Sequence, residues 1–600
     1  MTIAELTQKI NELTQKITEY PQGSIVRKTI NGKVRYYLQW CVNGKTRSSY
    51  IKEADLDNIH ARIAERQKLE EQRKDLQKEI KDLSSSSPST MDFYTNVVTG
   101  EQLDFIAVSY HEVPSFIFYP SAERFQMIRR YLEMEIYGRV FILYGLRRTG
   151  KTTMLFQAIR SLPLEKTAYI KMRPSDDMRM LCKDLDVLFK MGVRYVFIDE
   201  ITLMNDFINT AACLSDIYCQ MGMKIVISGT DSLGFIFADA NELYDRNVML
   251  RTSFIPFREY VNLLDIRSID RYIEYGGTLR MENMDFDDPD SASDDVSFRD
   301  DESTRKYIDT AISRNIQHSL ENDRFASRFG VLQELYDKGE LTNVINRIVE
   351  DMNHRFVLNV VVNQFKSHDL GSAKSLLLKN PDSNIKDALY NINTEEVVAT
   401  LKKLIDIKEK EEQTIPITEA HIAQIKRYLF MLDLIVDYPT FYDSYAKVER
   451  IVFTQPGMRY SIAKALVYAL MQDAYFLSLS KEDRDFISEK ILEDVKGRML
   501  EDIITLEFNK TQRKAFKVCF VDGGEFDMVV TYEDGVEIYE IKHSDKAIPE
   551  QAHHLFDETK CAFVEHTFGK IKGKYVLYRG KSMELQGIQY RNIEEVLCSL

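Results

Sequence analysis

In the first part of the chain, the spacing of hydrophobic and polar residues differs from one segment to the next. A tandem heptad opens the sequence, with apolar residues three and four apart at Ile3, Leu6, Ile10, Leu13 and Ile17. This spacing predicts a helix with an apolar seam for a partner helix. Residues 24–51 predict strands broken by two Asn-Gly pairs, and a second polar helix is predicted over about 53–83. We therefore predict that residues 1–83 form a helix pair with a small antiparallel three-stranded sheet.

Four further segments follow this N-terminal unit. The serine-rich residues 84–91 predict a flexible linker. Apolar strands alternate with helices over 92–265, which is typical of a parallel sheet in an α/β protein. Residues 266–496 are mostly helical, and their aspartate-rich stretch at 282–302 predicts a solvated loop. Residues 497–600 are again rich in strands and form the last predicted domain.

Composition narrows the class of protein. A chain of 600 residues with 44% hydrophobic and 29% charged residues is typical of a soluble protein with several domains. The net charge of -14 argues against binding nucleic acid over the whole surface, but leaves room for a local basic site. The seven cysteines show no C-x-x-C spacing and read as reduced thiols. The chain shows no signal-peptide pattern and no membrane-spanning run, so we expect a cytoplasmic protein without a membrane partner.

A phosphate-binding loop is the clearest chemical signal. The apolar run 141–144 leads directly into a complete G-x-x-x-x-G-K-[ST] motif that opens a helix. Backbone N–H groups in such a loop can cradle a triphosphate, Lys151 can reach the β- and γ-phosphates, and Thr152 can ligate magnesium. We predict ATP and Mg²⁺ as cofactors. The predicted nucleotide-binding residues are Gly145, Leu146, Arg147, Arg148, Thr149, Gly150, Lys151, Thr152 and Thr153.

Two later strands carry polar residues that could complete this site. The apolar strand 195–199 ends in Asp199 and Glu200. We predict that Asp199 holds the magnesium ion and that Glu200 polarises the attacking water as the general base. The next strand ends near Ser228 and Thr230. Either hydroxyl could sense the γ-phosphate, or the segment could simply be a strand-to-helix turn.

These motifs resemble the prokaryotic AAA-type ATPases abundant in archaea and bacteroidetes. The resemblance includes Pro256-Phe257-Arg258-Glu259-Tyr260 and extends over about residues 110–600. It implies a P-loop NTPase sheet with a helical, winged-helix-like lid, in which residues 428–435 would be the core helix. It also implies an arginine after the sensor strand that contacts the γ-phosphate. Arg246 is the first candidate, although it lacks the usual preceding glycine, and Arg251 is the substitute.

A second candidate site lies in a hairpin predicted from residues 524–542. Its two strands set Asp527 near Glu540 and Lys542, and the latter two face the same side of their strand. Carboxylates can hold a hard divalent cation, and the lysine can orient water or offset charge on phosphate. The pattern closely resembles the D…E-x-K site of restriction-endonuclease-like α/β folds, the PD-(D/E)xK nucleases. The resemblance implies catalysis by Asp527, Glu540 and Lys542, metal binding by Glu501, Asp527 and Glu540, and an accessory role for Gln551.

The N-terminal strands interleave basic and aromatic residues. The basic residues are Arg27, Lys28, Lys33, Arg35, Lys45 and Arg47, and the aromatic ones are Tyr36, Tyr37, Trp40 and Tyr50. Such a sheet can contact DNA phosphates, and it is loosely similar to the arm-type DNA-binding sheets of phage integrases. Alternatively, the aromatic residues pack on the helices and the charges are only solvated.

Two functions are consistent with these motifs. The first is an ATP-hydrolysing AAA-type protein whose nucleotide state controls a Mg²⁺-dependent nuclease. Its expected substrate is nucleic acid, with DNA favoured, in antiviral host defence or a mobile element. The alternative is a nucleotide-driven switch or adaptor whose nuclease-like domain only binds DNA or protein. Self-association through the N-terminal heptads or the ATPase domain fits both.

Overall fold

In the residues that it describes, the computed structural model of the chain has three β-sheets with helices around them. It describes residues 24–30, 33–42, 45–51, 55–85, 93–109, 122–135, 137–252, 254–264, 266–277, 298–313, 329–366, 399–403, 415–444, 446–511 and 513–600, with single positions at 9, 13, 16, 17, 20, 21 and 320.

The strands are, in chain order, β1 (Ser24–Ile30), β2 (Lys33–Val42), β3 (Lys45–Ile51), β4 (Asn96–Thr99), β5 (Val140–Gly145), β6 (Thr167–Lys171), β7 (Tyr195–Asp199), β8 (Lys224–Gly229), β9 (Asn247–Thr252), β10 (Ile435–Tyr442), β11 (Lys447–Phe453), β12 (Lys514–Cys519), β13 (Glu525–Tyr532), β14 (Gly535–Lys542), β15 (Ile571–Tyr578), β16 (Met583–Leu585) and β17 (Ile588–Asn592).

The helices are α1 (Leu56–Ser85), α2 (Gly100–Ser109), α3 (Ala122–Glu133), α4 (Lys151–Arg160), α5 (Met178–Lys190), α6 (Phe207–Thr210), α7 (Ser232–Asn241), α8 (Phe257–Leu264), α9 (Ile269–Tyr275), α10 (Asp301–Ile308), α11 (Gly330–Asp337), α12 (Leu341–Lys366), α13 (Glu419–Met431), α14 (Pro456–Met471), α15 (Ala474–Leu477), α16 (Lys481–Lys510), α17 (Glu558–Phe568) and α18 (Ile593–Ser599). Across the described ranges, none of them combines the length and apolar character that crossing a membrane requires.

The six-stranded sheet has the order β4-β6-β7-β8-β5-β9. All its neighbours pair in parallel except β4 and β6, which are antiparallel. Every residue of β5 is buried, because helices cover both faces of a parallel sheet and leave no polar side to its central strands. The prediction of a parallel-rich α/β sheet in this region is therefore confirmed.

The C-terminal sheet has eight strands in the order β11-β10-β12-β13-β14-β15-β17-β16. The hairpin β10–β11 belongs to the region predicted as the lid, yet β10 pairs in parallel with β12 and extends the C-terminal sheet. The boundary predicted between residues 496 and 497 falls inside the continuous helix α16. These two regions therefore share one sheet and one helix.

The helix predicted over residues 428–435 is shorter than expected. It ends at Met431, and Asp433 adopts a left-handed backbone with φ 59°. Aspartate tolerates this conformation better than most residues, and it turns the chain into β10, which begins at Ile435. The prediction was wrong for the last residues because a mostly apolar run does not distinguish a buried helix from a buried strand.

The N-terminal sheet is antiparallel in the order β1-β2-β3. The closing pairs Ile30↔Lys33 and Val42↔Lys45 flank the two Asn-Gly pairs, which confirms both predicted hairpins. Ile51 is buried here, as is Ile63 of α1. The heptad positions Ile3, Leu6 and Ile10, residues 86–91 of the linker and residues 282–297 of the acidic stretch lie outside the described residues.

Candidate functional site

The phosphate loop follows β5 and opens α4. Gly145 and Gly150 adopt φ values of 140° and 82°, which favour glycine. A Cβ at Gly145 would lie 2.0 Å from the carbonyl oxygen of Thr252, so no side chain fits there. Thr252 Oγ1 also lies 2.8 Å from Thr149 Oγ1. The loop is therefore held against the end of β9.

Lys151 points into this loop. Its Nζ donates to the carbonyl oxygens of Gly145 and Leu146 at 3.0 and 2.7 Å. Burial lowers the pKa of Lys151 to about 8, although the carboxylates of Glu200 and Asp199 oppose this shift. Phosphate oxygens are better acceptors for an ammonium group than carbonyls, so the position suits a triphosphate.

Asp199 is the centre of the polar cluster beside the loop. Thr152 Oγ1 and the Tyr169 hydroxyl donate to its Oδ2 at 3.0 and 3.1 Å, and the Ser228 hydroxyl donates to its Oδ1. The structure thus brings together the threonine and the aspartate predicted to hold magnesium. Tyr169 was missed because nothing local to its strand indicates that its neighbour ends in a carboxylate.

Glu200 lies directly after this aspartate with a left-handed backbone of φ 55°. Thr230 Oγ1 donates to Glu200 Oε2 at 3.4 Å. Burial, and then the neighbouring Asp199, raise the pKa of Glu200, while Lys151 and Arg147 lower it. The structure therefore places Thr230 against the predicted general base, where it can orient that carboxylate.

Arg246 and Arg251 lie at opposite ends of β9. Arg246 precedes the strand, where its carbonyl oxygen accepts from Val140 N at 3.0 Å and its side chain pairs with Asp216 at 3.3 Å. The six residues of β9 separate it from the loop by about 20 Å at roughly 3.3 Å per residue. Arg246 is therefore not brought to the nucleotide of its own chain, which corrects that prediction. Arg251 pairs with Tyr144, beside the loop.

The second predicted site assembles on β13 and β14. Asp527 Oδ2 accepts from the backbone N–H of Ile541 at 2.8 Å and from Lys542 Nζ at 3.0 Å. Lys542 Nζ also donates to Glu540 Oε2 at 2.7 Å. Asp527 and Glu540 are 3% and 1% exposed. The hairpin thus brings together all three residues of the predicted D…E-x-K pattern.

Burial and mutual charge give the two carboxylates opposite pKa shifts. Burial raises the pKa of Glu540, and the nearby Asp527 charge raises it further. Burial also acts to raise the pKa of Asp527, but the ammonium groups of Lys542 and Lys517 outweigh it and hold that pKa low. One carboxyl group is thus readily ionised and the other holds a proton more tightly.

The donor set fits a divalent cation. Glu540 Oε1 is buried and accepts no hydrogen bond from the described residues. An unsatisfied buried carboxylate oxygen is costly, and a cation would satisfy it. The residues that would hold the ion are Asp527 and Glu540, both of which supply the oxygen ligands that Mg²⁺ prefers.

A cavity of about 1100 Å³ joins this site to the helical region. Asp527, Glu540 and Lys542 line it on one side. The basic side chains in its lining come from α12, α13, β11, α14 and α16 and are Arg355, Lys426, Arg450, Arg459, Lys490 and Arg498. Gln551 also lines the cavity, but its amide bonds to Lys546 O and Ile548 N at 3.0 and 3.2 Å, within its own turn.

Two further residues of the site, Glu525 and Lys517, escaped sequence analysis. Oxygens of Glu501, Glu525 and Asp527 all lie within 4.8 Å of one another. Lys517 Nζ lies 2.9 Å from Glu501 Oε2. Glu525 and Asp527 are two apart on β13, so the alternation argument used for Glu540 and Lys542 could have found Glu525.

Comparisons with known proteins bear on parts of the chain. Residues 137–261 match the family model of an AAA domain, and residues 3–61 match a domain of unknown function, DUF6788. An uncharacterised protein of Methanocaldococcus jannaschii is 26% identical over 220 residues, which cover 34% of this chain and 48% of that protein. The chain thus matches about half the length of this relative.

Solved structures give only weak likenesses. Hsp104 in its closed state with ATPγS and casein matches with 15% identity and a TM-score of 0.23, over 28% of this chain and 32% of that chain. The ORC1 protein of Aeropyrum pernix in complex with DNA matches with 13% identity and a TM-score of 0.22, over 62% of this chain and 97% of that chain. TM-scores this low carry no argument. The family match and the phosphate-loop geometry together support an AAA-type P-loop ATPase domain over residues 137–261.

Proposed function

We propose that this chain is an ATP-hydrolysing AAA-type protein that couples its nucleotide state to a Mg²⁺-dependent nuclease acting on nucleic acid. The observation that carries the nuclease part is the buried Glu540 Oε1 beside Asp527 in the cavity, an oxygen that has no hydrogen-bond partner among the described residues. The observation that carries the ATPase part is the cluster of Lys151, Thr152 and Asp199 at the phosphate loop. A role in host defence or in a mobile element is part of this proposal.

The residues divide the nuclease chemistry among them. A bound Mg²⁺ would polarise a phosphodiester oxygen and lower the pKa of bound water. Asp527 and Glu540 would hold the ion, and the Ile541 backbone N–H keeps Asp527 in position. Lys542 bonds to both carboxylates and so lies beside the position that an ion would take, from which its ammonium group could orient the attacking water or offset charge on the phosphate.

The cavity lining carries basic side chains as well as carboxylates, several of them paired with one another, and the basic ones support nucleic acid as the substrate. Arginine and lysine neutralise phosphates, and this attraction supplies most of the affinity that does not depend on sequence. DNA is the proposed form, and the N-terminal sheet could add contacts. There the described aromatic pair Tyr37 and Tyr50 lies edge to face with ring centres 5.7 Å apart, and Tyr50 is largely exposed.

A short stretch of chain connects the two sites and supports coupling between them. Thr252, which contacts the phosphate loop, ends β9. Helix α8 begins at Phe257, and Glu507 of α16 accepts from its backbone N–H at 2.8 Å. A shift of the loop on ATP binding or hydrolysis would therefore reach α16 through very few residues.

The next helix, α9, contacts the nuclease-like site itself. Asp270 Oδ1 lies 2.7 Å from His543 Nε2, and His543 directly follows Lys542. Arg579 holds the other oxygen of Asp270 at 3.0 Å. Glu274 on the same helix pairs with Lys496 at 2.6 Å. Movement of α9 would thus displace the strand end that carries the lysine of the D…E-x-K pattern.

Metal-dependent cleavage tests this proposal. The purified full chain, with and without ATP, is incubated with single-stranded DNA, duplex DNA and RNA in the presence of Mg²⁺. We expect cleavage that Glu540→Ala abolishes, because this variant removes one of the two metal ligands. The matched control is Glu533→Ala, which removes an exposed carboxylate from the turn of the same hairpin.

One observation favours the alternative function, a nucleotide-driven switch or adaptor. Lys542 bonds to both carboxylates, at 3.0 and 2.7 Å, and in that arrangement the ammonium occupies their shared side. If none of the three substrates is cleaved with or without ATP, while ATP is still hydrolysed, the nuclease proposal is wrong and the adaptor function takes its place.

A further inference from the structure

A second cluster of carboxylates lies beside the proposed metal ligands. Oxygens of Glu501, Glu525 and Asp527 lie within 4.8 Å of one another, a spacing that could hold an ion. Two-metal nucleases place their ions about 3.5–4 Å apart and bridge them with a shared carboxylate. Asp527 belongs to both clusters, so the chain has the carboxylates for two ions side by side.

The ammonium group of Lys517 lies inside this second cluster. Its Nζ is 2.9 Å from Glu501 Oε2 and 3.9 Å from Asp527 Oδ1, and it also contacts Glu525 Oε1. The residue is 4% exposed. Arg498 adds a second positive charge, which contacts Glu501 and lies 3.4 Å from Glu525 Oε1. Two cationic side chains therefore already neutralise most of the charge of the three carboxylates.

The backbone explains why Lys517 points here. The register between β12 and β13 shifts between Phe516 and Val518, so that Lys517 faces two residues of β13, Asp527 and Met528. Such a bulge changes the direction of a side chain, and bulges are frequent next to active sites. The lysine is thus placed by the strand pairing, and its ion pairs hold it there.

We propose that the ammonium group of Lys517 takes the place of a second divalent cation, so that the nuclease-like site binds one ion, at Asp527 and Glu540. The inference rests on the proposed metal-dependent function. A second ion would have to displace a buried ammonium group from two carboxylates and remain close to Arg498. Lys517 is accordingly a positioning residue, which fixes the number of ions and the orientation of Asp527.

Manganese binding tests this inference directly. The nucleotide-free full chain is titrated with Mn²⁺ by calorimetry, and the bound ions are characterised by low-temperature electron paramagnetic resonance. We expect one ion per chain with the spectrum of an isolated Mn²⁺, and loss of that ion in Asp527→Asn. In Lys517→Met, which keeps the length and removes the charge, we expect a second ion and the spectrum of a magnetically coupled pair.

A matched control variant and the number of ions bound by the wild type decide the outcome of the test. Lys514→Met makes the same change at an exposed position of β12 and is expected to bind one ion. Two ions in the wild type, both lost in Asp527→Asn, would overturn the inference but leave the proposed nuclease standing. No ion at this site would overturn the proposed nuclease as well. If Lys517→Met fails to fold, the wild-type count alone decides.

Discussion

The lysines of the two candidate sites differ in their partners. Among the described residues, Lys151 donates to backbone carbonyls of its own loop, which phosphate oxygens can replace. Lys542 and Lys517 instead bond to carboxylates. Exchange of a carboxylate for another anion is less favourable than exchange of a carbonyl. The same residue type therefore meets neutral acceptors that phosphate can replace at one site and charged partners at the other.

Substitution of Lys151 tests the nucleotide site. Lys151→Ala removes the ammonium that can contact the phosphates, and we expect ATP hydrolysis to fall by a factor on the order of 100. Release of phosphate and binding of a fluorescent ATP analogue measure the effect. Lys190→Ala, at the exposed end of α5, is the control and should retain activity. Unchanged hydrolysis in Lys151→Ala would contradict the assignment of the nucleotide site.

Helices α8 and α9 connect the six-stranded sheet to the C-terminal sheet. Glu507 of α16 accepts from Phe257 N at the start of α8, and lies 3.3 Å from the Tyr272 hydroxyl of α9. Burial raises the pKa of Glu507 to about 7. A single carboxyl group thus fastens both helices to α16, and its protonation affects how firmly they are held.

This arrangement predicts a pH dependence of stability. The folded-state pKa of Glu507, about 7, lies above its ordinary value of 4.5, so its contribution to stability is fully present below pH 4.5 and is lost as the pH rises through 7. Glu507→Gln keeps a neutral acceptor at every pH. We therefore expect the melting temperature of this variant to rise relative to the wild type between pH 5 and pH 8.

The control for the pH experiment is Glu533→Gln, in an exposed turn. Its melting temperature should follow that of the wild type across the same range. A difference between Glu507→Gln and the wild type that stays constant with pH would show that Glu507 does not titrate in this window.

For the whole molecule, the question is how nucleotide state reaches the nuclease-like site. The polar contacts of Asp270 are the last step of the proposed route, because they hold α9 on His543 and Arg579. Lys542 directly precedes His543 in the sequence, so the strand end that carries Lys542 moves with these contacts. Each step of the route is a chain connection, a hydrogen bond or an ion pair, so single substitutions can test it.

Asp270→Ala should uncouple the two sites. We expect ATP hydrolysis to be unchanged, while the difference between nuclease rates with and without ATP is lost. Parallel assays of phosphate release and DNA cleavage on one preparation make the comparison. Glu302→Ala, an exposed carboxylate of α10, should leave the ATP effect intact. If the ATP effect survives in Asp270→Ala, coupling follows another route.

Features that depend on neighbouring residues along the chain could be predicted from the amino-acid sequence. The phosphate loop from Gly145 to Thr153, the strand ending in Asp199 and the hairpins at the Asn-Gly pairs were all predicted where they occur. Each follows from backbone geometry or side-chain alternation within a few residues. The D…E-x-K placement belongs to this class as well, because one hairpin brings its residues together.

The contacts between residues of separate elements depend on how the chain packs in three dimensions. The tertiary structure placed Arg251 rather than Arg246 beside the phosphate loop, because that choice depends on the direction in which β9 pairs with β5. It also brought Lys517 against Glu501 of a preceding helix and extended the C-terminal sheet with β10 and β11. Strand order and helix docking arise from burial of apolar faces. The hydrophobic effect has no preferred direction, so residues far apart in the sequence can become neighbours. The local sequence pattern therefore identified the chemical groups, whereas tertiary packing determined which of them contact one another.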